Sequence, residues 1–93
     1  MNKTIVEDWE FIITVTSAKP CRMGYEVGDT FYCKYECPSG FCPKTMAVLH
    51  SYCEVARGGG DYQLLGGNAK NEINFGCADG AVQFNLVAKK INL

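Results

Sequence analysis

The sequence predicts an α+β domain: a mostly antiparallel sheet of about four strands with one main helix packed on it, in the order β-β-α-β-β. Three observations carry this expectation. Apolar and β-branched residues alternate with period two near both ends of the chain, one central stretch has helical periodicity, and Gly, Pro and Asp punctuate the joints.

The first strand is "WEFIITVTSAK". Trp9, Phe11, Ile13 and Val15 fall on one face, with Glu10, Ile12, Thr14 and Thr16 on the other, and Pro20 ends it. The second, "YEVGDTFYCKYE", is entered through a turn at Gly28-Asp29. Phe31, Cys33 and Tyr35 share its inward side, which sets Cys33 between two aromatic residues.

The helix begins after Cys42. Pro43 suits the first helical position, where a missing N–H costs nothing, so Cys42 is the N-cap, and Gly58 to Gly60 stop the helix. Met46, Val48, Leu49, Tyr52, Cys53, Val55 and Ala56 cover about half of its circumference, a face wide enough to pack on a sheet. A glycine-rich connection follows, 58–71, with a short extended piece expected at "YQLL". "EINFGC" and "AVQFNLVAKKI" then form a closing hairpin around Ala78-Asp79-Gly80. Ile73, Phe75 and Cys77 share one face of its first arm, and Val82, Phe84, Leu86 and Ala88 share one face of its second.

The chain of 93 residues has room for a single domain, 1–93. Hydrophobic residues make up 47% and charged residues 20%, a globular balance and not a disordered one. With nine basic and ten acidic side chains the net charge is −1, so neither nucleic acid nor an anionic membrane is an expected partner. The opening "MNKTIVEDWEF" carries Glu7, Asp8 and Glu10 in place of an apolar signal core, and no run is long enough to span a bilayer. A cytoplasmic protein is the expectation. In a reducing compartment six cysteines point to metal, catalysis or buried thiols before a disulfide framework.

Position in the elements sorts these cysteines. Cys33 and Cys53 lie on apolar faces, where free cysteine behaves as a small hydrophobe. Cys21, Cys37, Cys42 and Cys77 sit at element ends or turns, where sites are commonly built. Cys42 has the best claim to reactivity, because unpaired N–H groups and the helix dipole favour a thiolate at an N-cap. It is the candidate catalytic residue. The C-x₄-C pair Cys37 and Cys42 is a loose zinc spacing with no second pair, so a metal site would have to gather distant cysteines. His50 stands about 12 Å of helical rise beyond Cys42 and reads as a surface residue. Asp29 and Asp79 suit their glycine turns, and the glycine clusters lack the strand-to-helix setting of a phosphate loop.

"CRMGYEVGD", "PSGFCPKTM", "VARGGGD" and "CADGAVQF" together resemble a family of small prokaryotic proteins, common among anaerobes and archaea, over Cys21 to Phe84. The shared pattern falls on Cys21, Gly24, Gly28, Asp29, Pro38, Gly40, Cys42, Cys77, Asp79 and Gly80. Ala78 replaces the proline usual in that family's last turn, and Thr45-Met46 replaces a small residue followed by an aromatic. The resemblance implies that Cys21, Cys42 and Cys77 form the functional set, with Cys33, Cys37 and Cys53 peculiar to this chain.

Three functions are consistent with these residues. Cys21, Cys42 and Cys77 would hold zinc or an iron–sulfur cluster with one position open to a substrate or to Cys37. In a metal-free alternative Cys42 is the reactive thiol of a redox protein and a neighbouring cysteine resolves it. In the third the cysteines are structural and the chain is a small interaction or subunit domain, for which a homo-oligomer would enlarge a modest core.

Overall fold

The computed structural model describes residues 8–77 and 79–91. β1 (Trp9–Ala18), β2 (Thr30–Cys33), α1 (Pro43–Arg57), a 3₁₀ helix (Tyr62–Leu65), β3 (Glu72–Gly76) and β4 (Val82–Lys90) follow one another along the chain. The four strands form one antiparallel sheet in the order β2-β1-β4-β3, an α+β fold with one main helix, as expected.

Strand alternation puts the apolar set on one face of this sheet. Phe11, Ile13 and Val15 of β1, Ile73 and Phe75 of β3, and Val82, Phe84, Leu86 and Ala88 of β4 are buried there. Thr45, Leu49, Cys53 and Ala56 of α1 are buried in the same core. Asn74 and Asn85 pair on the opposite face, 3.0 Å apart.

Aromatic rings run through the core as a connected series. Phe84 stacks on Phe75 at 5.1 Å and meets Phe41 at 5.5 Å and Tyr25 at 5.8 Å. Tyr52 continues the series from Phe75 to Tyr62, whose hydroxyl donates to the Tyr52 carbonyl at 2.6 Å.

Two local expectations are corrected. The second strand is only four residues long: Tyr35 does not turn inward with Cys33 but is 71% exposed. Arg57 is the reason, since its guanidinium lies 4.8 Å from the Tyr35 ring and donates to the Lys34 carbonyl, drawing residues 34 and 35 off the sheet. The "YQLL" segment is helical and not extended. Asp61 caps it by accepting from the Gln63 N–H at 2.9 Å, and Gly66 ends it at φ +86°. Thr45, left off the apolar arc of α1, is wholly buried. Of the hairpin turn, Ala78 lies outside the described residues.

The 3₁₀ helix docks on β3 through Gly67. A Cβ there would lie 2.7 Å from two backbone carbonyl oxygens, those of Tyr62 and Glu72, and neither can swing away. Gly67→Ala should therefore destabilise the domain by about 1–3 kcal/mol, measured by urea denaturation. A loss below that range would mean the docking is loose.

Candidate functional site

Four element ends meet at one end of the sheet. The register of β1 against β4 slips between Val15 and Ser17, leaving Thr16 as an extra residue, and the Lys19 N–H then donates to the Ala81 carbonyl at 2.9 Å. This brings the segment after β1 beside the segment that joins β3 to β4.

Each of those segments is a C-x-x-G turn. In Cys21–Gly24 the Gly24 N–H donates to the Cys21 carbonyl at 3.2 Å, and in Cys77–Gly80 the Gly80 N–H donates to the Cys77 carbonyl at 3.0 Å. Gly24 and Gly80 sit at φ +65° and +74°, a left-handed conformation that favours glycine at the fourth position of both turns.

The third approach is the N-terminus of α1. Phe41 is buried against Phe84, Phe31 and Tyr25, and the Tyr25 hydroxyl donates to the Gly40 carbonyl at 3.2 Å. Cys42 is the N-cap with extended backbone, as the sequence predicts, and its side chain makes no capping hydrogen bond.

The result is a cavity of about 350 Å³ bordered by Cys21, Cys42 and Cys77 together with Tyr25, Lys44 and Thr45. All three thiols of the predicted set thus share one cavity. Cys37 does not join them: it lines a second cavity with Cys33, Cys53 and His50. Asp79 lies on the rim of the first, 3.3 Å from Lys44, but both side chains are mostly exposed and the pair contributes little to stability. Asp29 serves its turn, accepting from the Glu26 N–H at 2.8 Å.

The Cys21 and Cys42 sulfurs sit where a thiolate is favoured. The Cys21 thiol is lowered chiefly by the Tyr25 N–H, aided by those of Met23 and Gly24 and opposed by partial desolvation and by Cys42. At Cys42 desolvation raises the thiol, but the Thr45 backbone and hydroxyl, the Lys44 N–H and the Lys44 charge outweigh it, and the net shift is downward. Cys77 accepts from the Val82 N–H at 3.4 Å.

Thr45 is the residue that sequence reasoning missed. Its side chain is wholly buried, lines the cavity, and has no hydrogen-bond partner for Oγ1 among the described residues. The hydroxyl is near enough to the Cys42 sulfur to favour a thiolate, but not in the geometry of a formed hydrogen bond. A polar residue three positions past an N-cap was the available signal.

An unpaired buried hydroxyl costs about 1–3 kcal/mol. Thr45→Val, nearly the same in volume, should therefore leave the metal-free protein as stable as the parent or more so. It should also slow alkylation of Cys42 at neutral pH, because the group that favours its thiolate is gone. Unchanged alkylation would show that the hydroxyl does not act on the sulfur.

Among the described residues no three His, Cys, Asp or Glu side chains are grouped closely enough to hold a single metal ion. No helix among the described residues is long and apolar enough to cross a membrane. Compared with protein-family models, curated proteins and solved structures, the chain finds no match.

Proposed function

We propose that this chain is a small three-thiolate protein that holds a metal group on Cys21, Cys42 and Cys77, and that the group is an iron–sulfur cluster in preference to a single zinc ion. The observation that carries the reading is the cavity itself: three cysteines from three separate segments border it, while no three donors among the described residues are grouped to hold a single ion. A tetrahedral ion needs its donors at one point. A cluster distributes its ligand positions over several irons, so its thiolates need not converge.

The surroundings support a charged sulfur set. Backbone N–H groups serve Cys21 and Cys77, the Lys44 ammonium lies beside Cys42, and the Thr45 hydroxyl is a donor still without an acceptor. With three protein thiolates, a bound cluster would keep one iron open for Lewis-acid or one-electron chemistry. The chain's own part would be to favour the thiolates of Cys21 and Cys42, to supply hydrogen bonds to sulfur, and to limit water with Tyr25, which lines the cavity. A reducing compartment, the cytoplasm, suits both the thiols and the cluster.

The test is anaerobic reconstitution with ferrous iron and sulfide. Cys77→Ser should lose the cluster, while Cys37→Ser, from the other cavity, should retain it. Equal uptake by the two variants would rule out the assignment.

A metal-free thiol protein is the second reading, and the lowered thiols of Cys21 and Cys42 favour it. Cys42 would then attack a disulfide substrate and Cys21 would release the mixed disulfide.

A further inference from the structure

The other three cysteines are gathered as well. Cys33 at the end of β2, Cys53 on α1 and Cys37 in the connection between them line a second cavity of about 230 Å³. Met46 and His50 line it too. With Cys53 they recur at i, i+4 and i+7, which is one stripe of the helix. Cys33 and Cys53 are 5% and 4% exposed, and Cys33 together with burial pushes the Cys53 thiol up, so a metal ion there would have to displace its proton. Cys37 and His50 are exposed, and Met46 is half-buried.

As core packing alone, two buried thiols on one cavity would be ordinary. They are not alone, however: a third thiol, a thioether and an imidazole border the same opening, and thiol with thioether is the donor set that soft monovalent metals prefer. Glu36 is the carboxylate on this wall, and Arg57 and Lys34 are its cations.

We propose that this second cavity binds a soft monovalent ion of the Cu(I) class between the Cys33 and Cys53 sulfurs, with Met46, Cys37 and His50 as outer donors. Two thiolates in line satisfy such an ion, so a neighbouring pair on one cavity suffices where zinc would need four donors at one point. Binding would be a proton exchange with no change of oxidation state. The ion would displace one proton from each thiol, two Cu–S bonds would form, and two protons would pass to solvent. The resulting bis-thiolate complex carries one negative charge. Arg57, on the same wall, offsets it while remaining bound to Glu54 at 2.7 Å.

The test uses the full chain, reduced and free of oxygen, with Cys42→Ser and Cys77→Ser together to disable the first cavity. Cu(I) is supplied as its bicinchoninate complex. One ion per chain should transfer from the chelator, with release of two protons. Cys53→Ala should abolish the transfer, and Met46→Leu should weaken it roughly tenfold, as losses of supporting groups do at metal sites. Transfer that persists in a folded Cys53→Ala protein would overturn the proposal. Should Cys53→Ala not fold, the proton count decides on the Cys42→Ser, Cys77→Ser protein: two protons per ion support the site, and fewer than two, or no transfer at all, overturns it.

Discussion

Phe84→Ala should remove about 3–5 kcal/mol of stability, the largest loss expected from any one side chain in this domain. Phe84 is wholly buried on β4, and its ring joins the two halves of the core. On one side it stacks on Phe75 of β3. On the other it supports Tyr25, which follows the Cys21 turn, and Phe41, which precedes Cys42. Removal leaves a void that neither neighbour can fill, because each is held by its own contacts: Tyr25 by the Gly40 carbonyl and Phe41 by Phe31. Small domains have about 5–15 kcal/mol in total, so much of the margin is lost. Phe84→Leu, which keeps most of the volume, should cost clearly less. Urea denaturation measures both. A Phe84→Ala loss below about 1 kcal/mol, outside the usual range for a buried ring, would mean that the aromatic series does not hold the two loops together.

Cys42→Ser should have opposite effects on fold and function. Serine is a good N-cap, able to accept from the N–H groups of the first turn, whereas Cys42 makes no such bond. The substitution should therefore leave stability unchanged or raise it by about 0.5–1 kcal/mol. Reconstitution with iron and sulfide should fail in the same protein, because a hydroxyl does not ionise at neutral pH and is a poor ligand for iron. The contrast separates a ligand from a structural residue: a cysteine present only to cap or pack would show the first effect without the second. Cluster uptake by Cys42→Ser equal to that of the parent would remove Cys42 from the ligand set.

Period and punctuation made most of the fold legible. The alternation of Phe11, Ile13 and Val15, the pairing of Pro43 with the Gly58–Gly60 stop, and the inward set of Val82, Phe84, Leu86 and Ala88 all appear in the structure as read. What failed depends on long-range contacts. Tyr35 follows the strand pattern locally, but Arg57, 22 residues later in the sequence, draws it away. "YQLL" carries no helical period in four residues, and its conformation comes from the Asp61 cap and from Tyr62 sinking into the core.

The site was legible at the level of position but not of grouping. Element ends singled out Cys21, Cys37, Cys42 and Cys77, and three of these share a cavity. Only the topology separates Cys37, since the segment after β2 lines a different cavity, with His50 and Cys53. The likeness of the Cys21 and Cys77 turns can be read from their C-x-x-G spelling, yet Cys37-Pro-Ser-Gly40 has the same spelling and a different closure. There the Phe41 N–H donates to the Pro38 carbonyl at 3.1 Å, so the turn begins one residue later and does not enclose the cysteine. Thr45 was hidden because a threonine on the first turn of a helix normally faces water, and only the packing of α1 against the sheet buries it.

The most direct measurement is the iron, zinc and acid-labile sulfide content of the untagged protein purified without oxygen, with its visible spectrum. The account predicts iron and sulfide in comparable amounts and a broad charge-transfer absorption that Cys42→Ser abolishes. A protein without iron or sulfide, carrying one zinc per chain or six titratable thiols and no metal, would contradict it.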